Sequence, residues 1–151
     1  CPTWMGLRNG VARESVEGIA DYDIPHVHVE YHDPRIGIPT GYWRSVGLSQ
    51  NTFFAESFVD VLAIAGKKDP VVLRRRLYAK SPRLVRVLDV AAEKAGWGTP
   101  LPAGRFRGVA AAAGFGSFNA QVVEVSIAGG PPIVHRGVCV VDCRPGGKIR
   151  L

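Results

Sequence analysis

Two dipeptides, Asp69-Pro70 and Ser81-Pro82, constrain the fold of this chain more than any other feature. Proline fits only the first turn of a helix, because it has no N–H to donate and its ring blocks the preceding turn. With a capping Asp or Ser in front of it, each proline reads as a helix start. The first predicts a short helix to about Tyr78. The second predicts a helix through Leu84, Val85, Leu88, Ala91 and Ala92 that Gly96 stops. Upstream, Phe54, Phe58, Val61, Leu62 and Ala65 recur at i, i+4, i+7, i+8 and i+11. That spacing predicts a helix with one apolar face, with Ser49 or Asn51 as N-cap and Gly66 beyond its end. Residues 49–96 are therefore expected to hold three helices.

On either side the pattern changes. Residues 97–107, "WGTPLPAGRFR", read as a proline and glycine linker, and three strand-like runs follow near 108–113, 118–127 and 132–142. Before the helices, 26–31 reads as a strand, and its glycines and prolines make the next 16 or so residues a loop. Residues 1–25 are expected to be irregular, with Asn9-Gly10 as a turn signal. This order predicts an α+β fold, with helices packed on a small, mostly antiparallel sheet. A length of 151 residues suits one domain. No run approaches the roughly 20 apolar residues of a membrane-spanning helix. The chain starts at Cys1 and its only methionine is Met5, so it reads as one partial domain of something longer, with a divergent tail at 144–151. Periplasmic and cytoplasmic locations both stay open.

Four features carry candidate chemistry. In "HVHVEYHD" a strand would put His26, His28, Glu30 and His32 on one face, opposite Val27, Val29 and Tyr31. At about 3.3 Å per residue His26 and His32 would lie about 20 Å apart, so only neighbours could share a metal ion, and a half-buried strand is the simpler reading. Cys139 and Cys143 sit four apart in an apolar run, too far apart for a disulfide, and read as buried thiols. Residues 67–107 hold eleven basic and three acidic side chains. That imbalance raises a small nucleic-acid-binding module as the alternative function, although "RRR" at 74–76 fits a solvated helix face better.

The fourth feature is the loop "GYWRSVGLSQNTFF", in which Gly41 and Gly47 permit close approach or positive φ and Arg44 offers a fork of donors before a helix. Together with "GIPTGYWRSVGLSQNTFFAESFVDVLAIAGKKDPVVLRRRLY", "VLDVAAEKAGWGTPLPAGRFRGVA", "GFGSFNAQVVEVSI" and "VHRGVCVVDC", it resembles the large subunits of the molybdenum hydroxylases. This is the xanthine dehydrogenase and aldehyde oxidase family, and the likeness is to its isoquinoline 1-oxidoreductase and bacterial aldehyde dehydrogenase branch, over residues 18–143. The resemblance implies a molybdopterin cytosine dinucleotide cofactor and hydroxylation of aldehydes or N-heterocycles with oxygen from water. It also implies an iron–sulfur partner subunit that takes the electrons. By motif, Trp43, Arg44, Ser45, Val46 and Gly47 match the family's cofactor-side loop, and Phe115 and Phe118 fall near its substrate-side aromatic ring. The family's base glutamate motif, Gly-Glu-Pro-Gly, is not in this sequence, so no catalytic residue is assigned and the chain is expected to be inactive alone. Neither Glu56 nor Glu124 fits that motif; Glu56 is expected to hold loop and helix together.

Overall fold

The computed structural model of the protein describes residues 7–8, 11–12, 21–28, 37–39 and 43–143. Its elements run β1 (Leu7–Arg8), β2 (Val11–Ala12), α1 (Leu48–Ala65), α2 (Pro70–Leu77), α3 (Pro82–Ala95), β3 (Arg105–Gly114), β4 (Ser117–Ser126) and β5 (Ile133–Asp142). The last three form one antiparallel sheet in the order β3-β4-β5. The architecture is α+β, as the sequence predicts.

Helix punctuation follows the two prolines. The Asp69 side chain accepts from the backbone N–H groups of Val71 and Val72, both at 2.9 Å, and Pro70 occupies the first turn of α2. Its second carboxylate oxygen accepts from the Trp97 indole at 2.8 Å, which ties the start of α2 to the segment after α3. Gly96 ends α3 with φ of +67°, a conformation that costs glycine nothing. The far end of α3 is held by two guanidinium groups. Arg107 donates to the Gly96 carbonyl at 2.6 Å, Arg136 to that of Lys94 at 2.7 Å, and the buried Glu124 carboxylate pairs with both. Cations against the last carbonyls of a helix satisfy acceptors that have no partner within it.

The core lies between α3 and one face of the sheet. Leu84, Leu88, Ala91 and Ala95 of α3 are buried against Val109, Ala111, Ala120 and Val122. On β4 the inward residues alternate with outward ones, as the two-residue period requires.

Several expectations fail. The apolar stripe of α1 faces outward: Phe54 and Phe58 are each 61% exposed, Val61 56% and Leu62 46%. The buried residues of this helix are Glu56, Val59 and Ala63. Periodicity identified the helix but not the face it buries, because α1 is seated through a polar network. The Glu56 carboxylate accepts from Arg74 Nε at 2.8 Å, from Tyr78 OH at 2.9 Å, from the Ala111 backbone N–H at 2.7 Å and from Tyr22 OH. Arg74 also donates to the Glu56 carbonyl at 2.9 Å and to Asp60 at 2.7 Å. Arg74, expected on a solvated face, is fully buried.

Other corrections are local. The N-cap of α1 is Gly47 and not Ser49 or Asn51, since Ser49 lies inside the helix and its hydroxyl donates back to the Arg44 carbonyl. His26, Val27 and His28 are exposed and lie in no strand, while 29–36 fall outside the described residues. Strands β1 and β2 pair on either side of Asn9-Gly10, where irregular chain was expected; Asn-Gly between short runs is a hairpin signal. Strand β3 begins at Arg105, inside the expected linker. Cys139 and Cys143 are free and exposed, because they fall on the outward side of β5 and just past its end.

Removing Arg74 would leave Glu56 buried without its counter-charge. Arg74→Leu is expected to destabilise the chain by about 3–5 kcal/mol, whereas Arg76→Leu, on the exposed side of α2, should stay within about 0.5 kcal/mol; urea unfolding of the two variants makes the comparison. The network also sets an alkaline limit. Burial, and after it the Glu56 carboxylate, pushes both Tyr22 and Tyr78 well above the usual phenol range. The neutral phenol is thus favoured by the fold, so this contribution is complete below the unfolded pKa of about 10 and is lost as pH rises above it. Alkaline titration should show these two phenols ionising only with unfolding, and Tyr78→Phe should flatten the fall of stability above that pH.

Candidate functional site

The Trp43–Gly47 loop and the β3–β4 hairpin meet at the start of α1. In the loop, Val46 N–H donates to the Trp43 carbonyl and Leu48 N–H to that of Ser45, both at 3.0 Å. This double turn forces Ser45 to φ +71° and Val46 to φ +48°, whereas Gly47 stays right-handed at −64°. The positive φ expected of a glycine therefore falls on a serine and a β-branched valine, for which the region is costly.

The hairpin has the same feature. Gly114 pairs with Ser117, leaving Phe115 and Gly116 as a two-residue turn with φ of +51° and +79°. Positive φ at both positions is the type I′ pattern, which favours Asn-Gly. Phenylalanine in the first position is strained, and its ring is 78% exposed, so burial does not offset the cost. Of the four non-glycine residues with positive φ among those described, Ser45, Val46 and Phe115 cluster here and Lys67 lies elsewhere. Such conformations cost on the order of 1–3 kcal/mol each and gather at functional sites.

Between the two turns lies an open cleft of about 360 Å³. Ser45, Ser49 and Thr52 line it from the loop and α1, and Ala112, Phe115 and Asn119 from the hairpin. Gly114 permits the closeness of the two walls, since a Cβ there would overlap Leu48 Cδ1. Behind the cleft, the bond from Ala111 N–H to Glu56 ties β3 to α1 one residue from the wall.

Of the residues singled out by motif, the structure brings Ser45 and Phe115 into one cleft. Val46 and Gly47 shape the turn behind it, and Trp43 and Arg44 are exposed at its start, Trp43 at 81%. Phe118 lies elsewhere. It points to the α3 side of β4, where the Arg83 guanidinium sits 4.4 Å from its ring centroid and makes two hydrogen bonds of 2.7 Å to Asp142. Those bonds hold the Asp142 carboxyl below the usual carboxylate range. The sequence reading missed Ser49, Thr52 and Asn119. Ser49 and Thr52 share a helix face at i and i+3, but nothing in sequence says that Asn119 comes opposite them.

The walls offer hydroxyls and an amide, with no thiolate, imidazole or carboxylate among them. Such a donor set suits the polar edge of an organic group and supplies no strong metal ligand. Among the described residues no group of three or more His, Cys, Asp and Glu side chains could hold a metal ion, and no helix is long and apolar enough to cross a membrane. Nothing supports the nucleic-acid alternative: Arg74, Arg75, Lys80, Arg83 and Arg107, five of the basic residues behind it, are paired with carboxylates of the chain itself.

Part of this chain is shared with known proteins. The chain is 33% identical over 82 residues, 54% of its length, to the beta subunit of isoquinoline 1-oxidoreductase from Brevundimonas diminuta. It is also 33% identical over 79 residues, 52% of its length, to a subunit of nicotinate dehydrogenase from Pseudomonas putida. The matched stretches span only 10% and 7% of those two proteins. No protein-family model and no solved structure matches. The chain is thus related, over about half its length, to subunits of two oxidoreductases.

The strain at Phe115 has a measurable sign. Phe115→Asn, which suits the left-handed turn position, should raise stability by about 1 kcal/mol. Gly114→Ala should lower it and shift Leu48, as read by thermal unfolding.

Proposed function

We propose that this chain is part of the molybdopterin-binding subunit of a molybdenum hydroxylase that oxidises aldehydes or N-heterocycles with oxygen from water. The supporting observation is that Ser45 of the strained loop and Phe115, marked separately by motif, line opposite walls of one cleft. When bound, the molybdopterin cytosine dinucleotide supplies the redox centre, and an iron–sulfur partner subunit carries the electrons away.

The chain's own residues position and shield. The hydroxyls of Ser45 and Thr52 and the Asn119 amide would donate to or accept from the polar edge of the cofactor, the Ser49 oxygen, whose proton goes to the Arg44 carbonyl, would only accept, and the Phe115 ring would offer an apolar face to a flat substrate. Strain at Ser45 and Val46 holds this geometry in advance, so binding does not have to pay for it. The proton acceptor comes from another part of the subunit. Glu56 is near, but both of its oxygens are already engaged.

The test starts from the longest polypeptide that the gene encodes. It is expected to contain stoichiometric molybdenum and to reduce an artificial acceptor when given an aldehyde or N-heterocycle. Phe115→Ala in that polypeptide should lower kcat/KM by about 1 kcal/mol, or roughly fivefold, while the 151-residue chain alone shows neither metal nor turnover. A long polypeptide without molybdenum, or aldehyde-dependent turnover by the short chain, would overturn the proposal.

A further inference from the structure

At the end of the sheet away from the cleft, three strands bring a second polar cluster together. In the pairing of β3 with β4, Arg105 lies opposite Ser126 and Arg107 opposite Glu124. Directly opposed residues share a face, with Cβ atoms about 5 Å apart, so Arg105 and Ser126 are neighbours. On β5 the register breaks: Val134 pairs with Val125 and Arg136 with Glu124, which leaves His135 as the extra residue of a β-bulge. A bulge re-aims a side chain. Here it brings the His135 ring to the Ser126 hydroxyl, with Nε2 and Oγ 2.8 Å apart.

The charges of this cluster do not balance. Its carboxylate, Glu124, already pairs with Arg107 at 2.9 Å and with Arg136 at 3.7 Å. Glu93 and Lys94, adjacent in the last turn of α3, offset each other. Arg105 is half-buried, yet its guanidinium makes no ion pair or side-chain hydrogen bond among the described residues. Three guanidinium groups, Arg105, Arg107 and Arg136, against the one carboxylate of Glu124 leave a formal charge of +2. A cation partly withdrawn from water gains most from an anion that accepts its hydrogen bonds, and the chain supplies none to Arg105.

We propose that Arg105, Ser126 and His135 bind a phosphate dianion, either inorganic phosphate or the end group of a phosphate monoester. The planar fork of Arg105 donates two parallel N–H bonds to two of its oxygens. With the His135 ring donating to Ser126 Oγ, the Ser126 proton goes to a third oxygen. Charge selects a dianion over a singly charged carboxylate, since it neutralises the +2 of the cluster. Nine residue steps of about 3.3 Å put Arg105 about 30 Å from Gly114 at the cleft end of β3. The site therefore stands apart from the uncharged cleft and does not rest on the functional reading of that cleft.

The test is calorimetric titration of the longest polypeptide the gene encodes with inorganic phosphate, with glycerol 3-phosphate and with acetate. Phosphate should bind, and Arg105→Gln should weaken it at least about tenfold. Lys68→Gln, which removes the same charge from an exposed turn outside the site, should change the affinity less than about twofold. Binding of inorganic phosphate alone supports a site for the free ion, and binding of both phosphates supports a site for the phosphoryl end of a larger molecule. As a second measurement, Ser126→Asp puts a carboxylate beside Arg105 and His135, so it should raise the thermal midpoint and abolish phosphate binding. Equal phosphate affinity in the parent and Arg105→Gln, acetate binding as tight as phosphate, or no saturation below about 10 mM phosphate overturns the proposal. A lowered midpoint in Ser126→Asp overturns it as well.

Discussion

The buried ion pair between Glu56 and Arg74 is the interaction on which the other elements depend. One carboxylate accepts from residues before α1, from α2, from the first residue past α2 and from the backbone of β3. Burial works against the Arg74 charge, but Glu56 and Asp60 together overcome this and raise its pKa. A buried pair of this kind adds little net stability against an apolar replacement, yet it punishes the loss of either partner. Its value here is geometric, because it fixes the angle and distance between α1 and the sheet. Tyr22 and Tyr78, stacked with ring centroids 4.9 Å apart, close the same network over Glu56.

The cleft follows from that constraint. Once α1 is locked to β3 at Ala111, its first turn must come beside the hairpin tip, and Gly114 leaves room for Leu48 there. Two strained turns then face each other. A chain selected for stability alone would put Asn at position 115 and glycines at 45 and 46, since those residues occupy left-handed conformations at little cost. Strain held in place by a rigid polar anchor on one side is an arrangement that a binding site uses to keep its geometry in the absence of ligand.

Much of the local structure was legible. Asp69-Pro70, Ser81-Pro82 and Gly96 marked α2 and α3 because capping and proline sterics act within a few residues. The apolar stripe of α3 faces the core as its periodicity implies, while that of α1 does not. The difference lies in what each helix meets: α3 meets alanines and valines of the sheet, whereas α1 meets an arginine and two tyrosines. Ser45 and Phe115, singled out by motif, line one cleft, but the sequence did not point to Asn119 beside them, since its place depends on the register of β4 against β3.

By itself, then, the sequence determined the starts of α2 and α3, the stop of α3 at Gly96, the three strand-forming runs after the helices and the α+β class, since these depend on backbone sterics and side-chain period over short spans. Tertiary structure alone decided that Glu56 and Arg74 are inside while Phe54 and Phe58 are outside. A charge can be buried only when a partner and several donors converge on it, and those donors come from residues far apart in the chain.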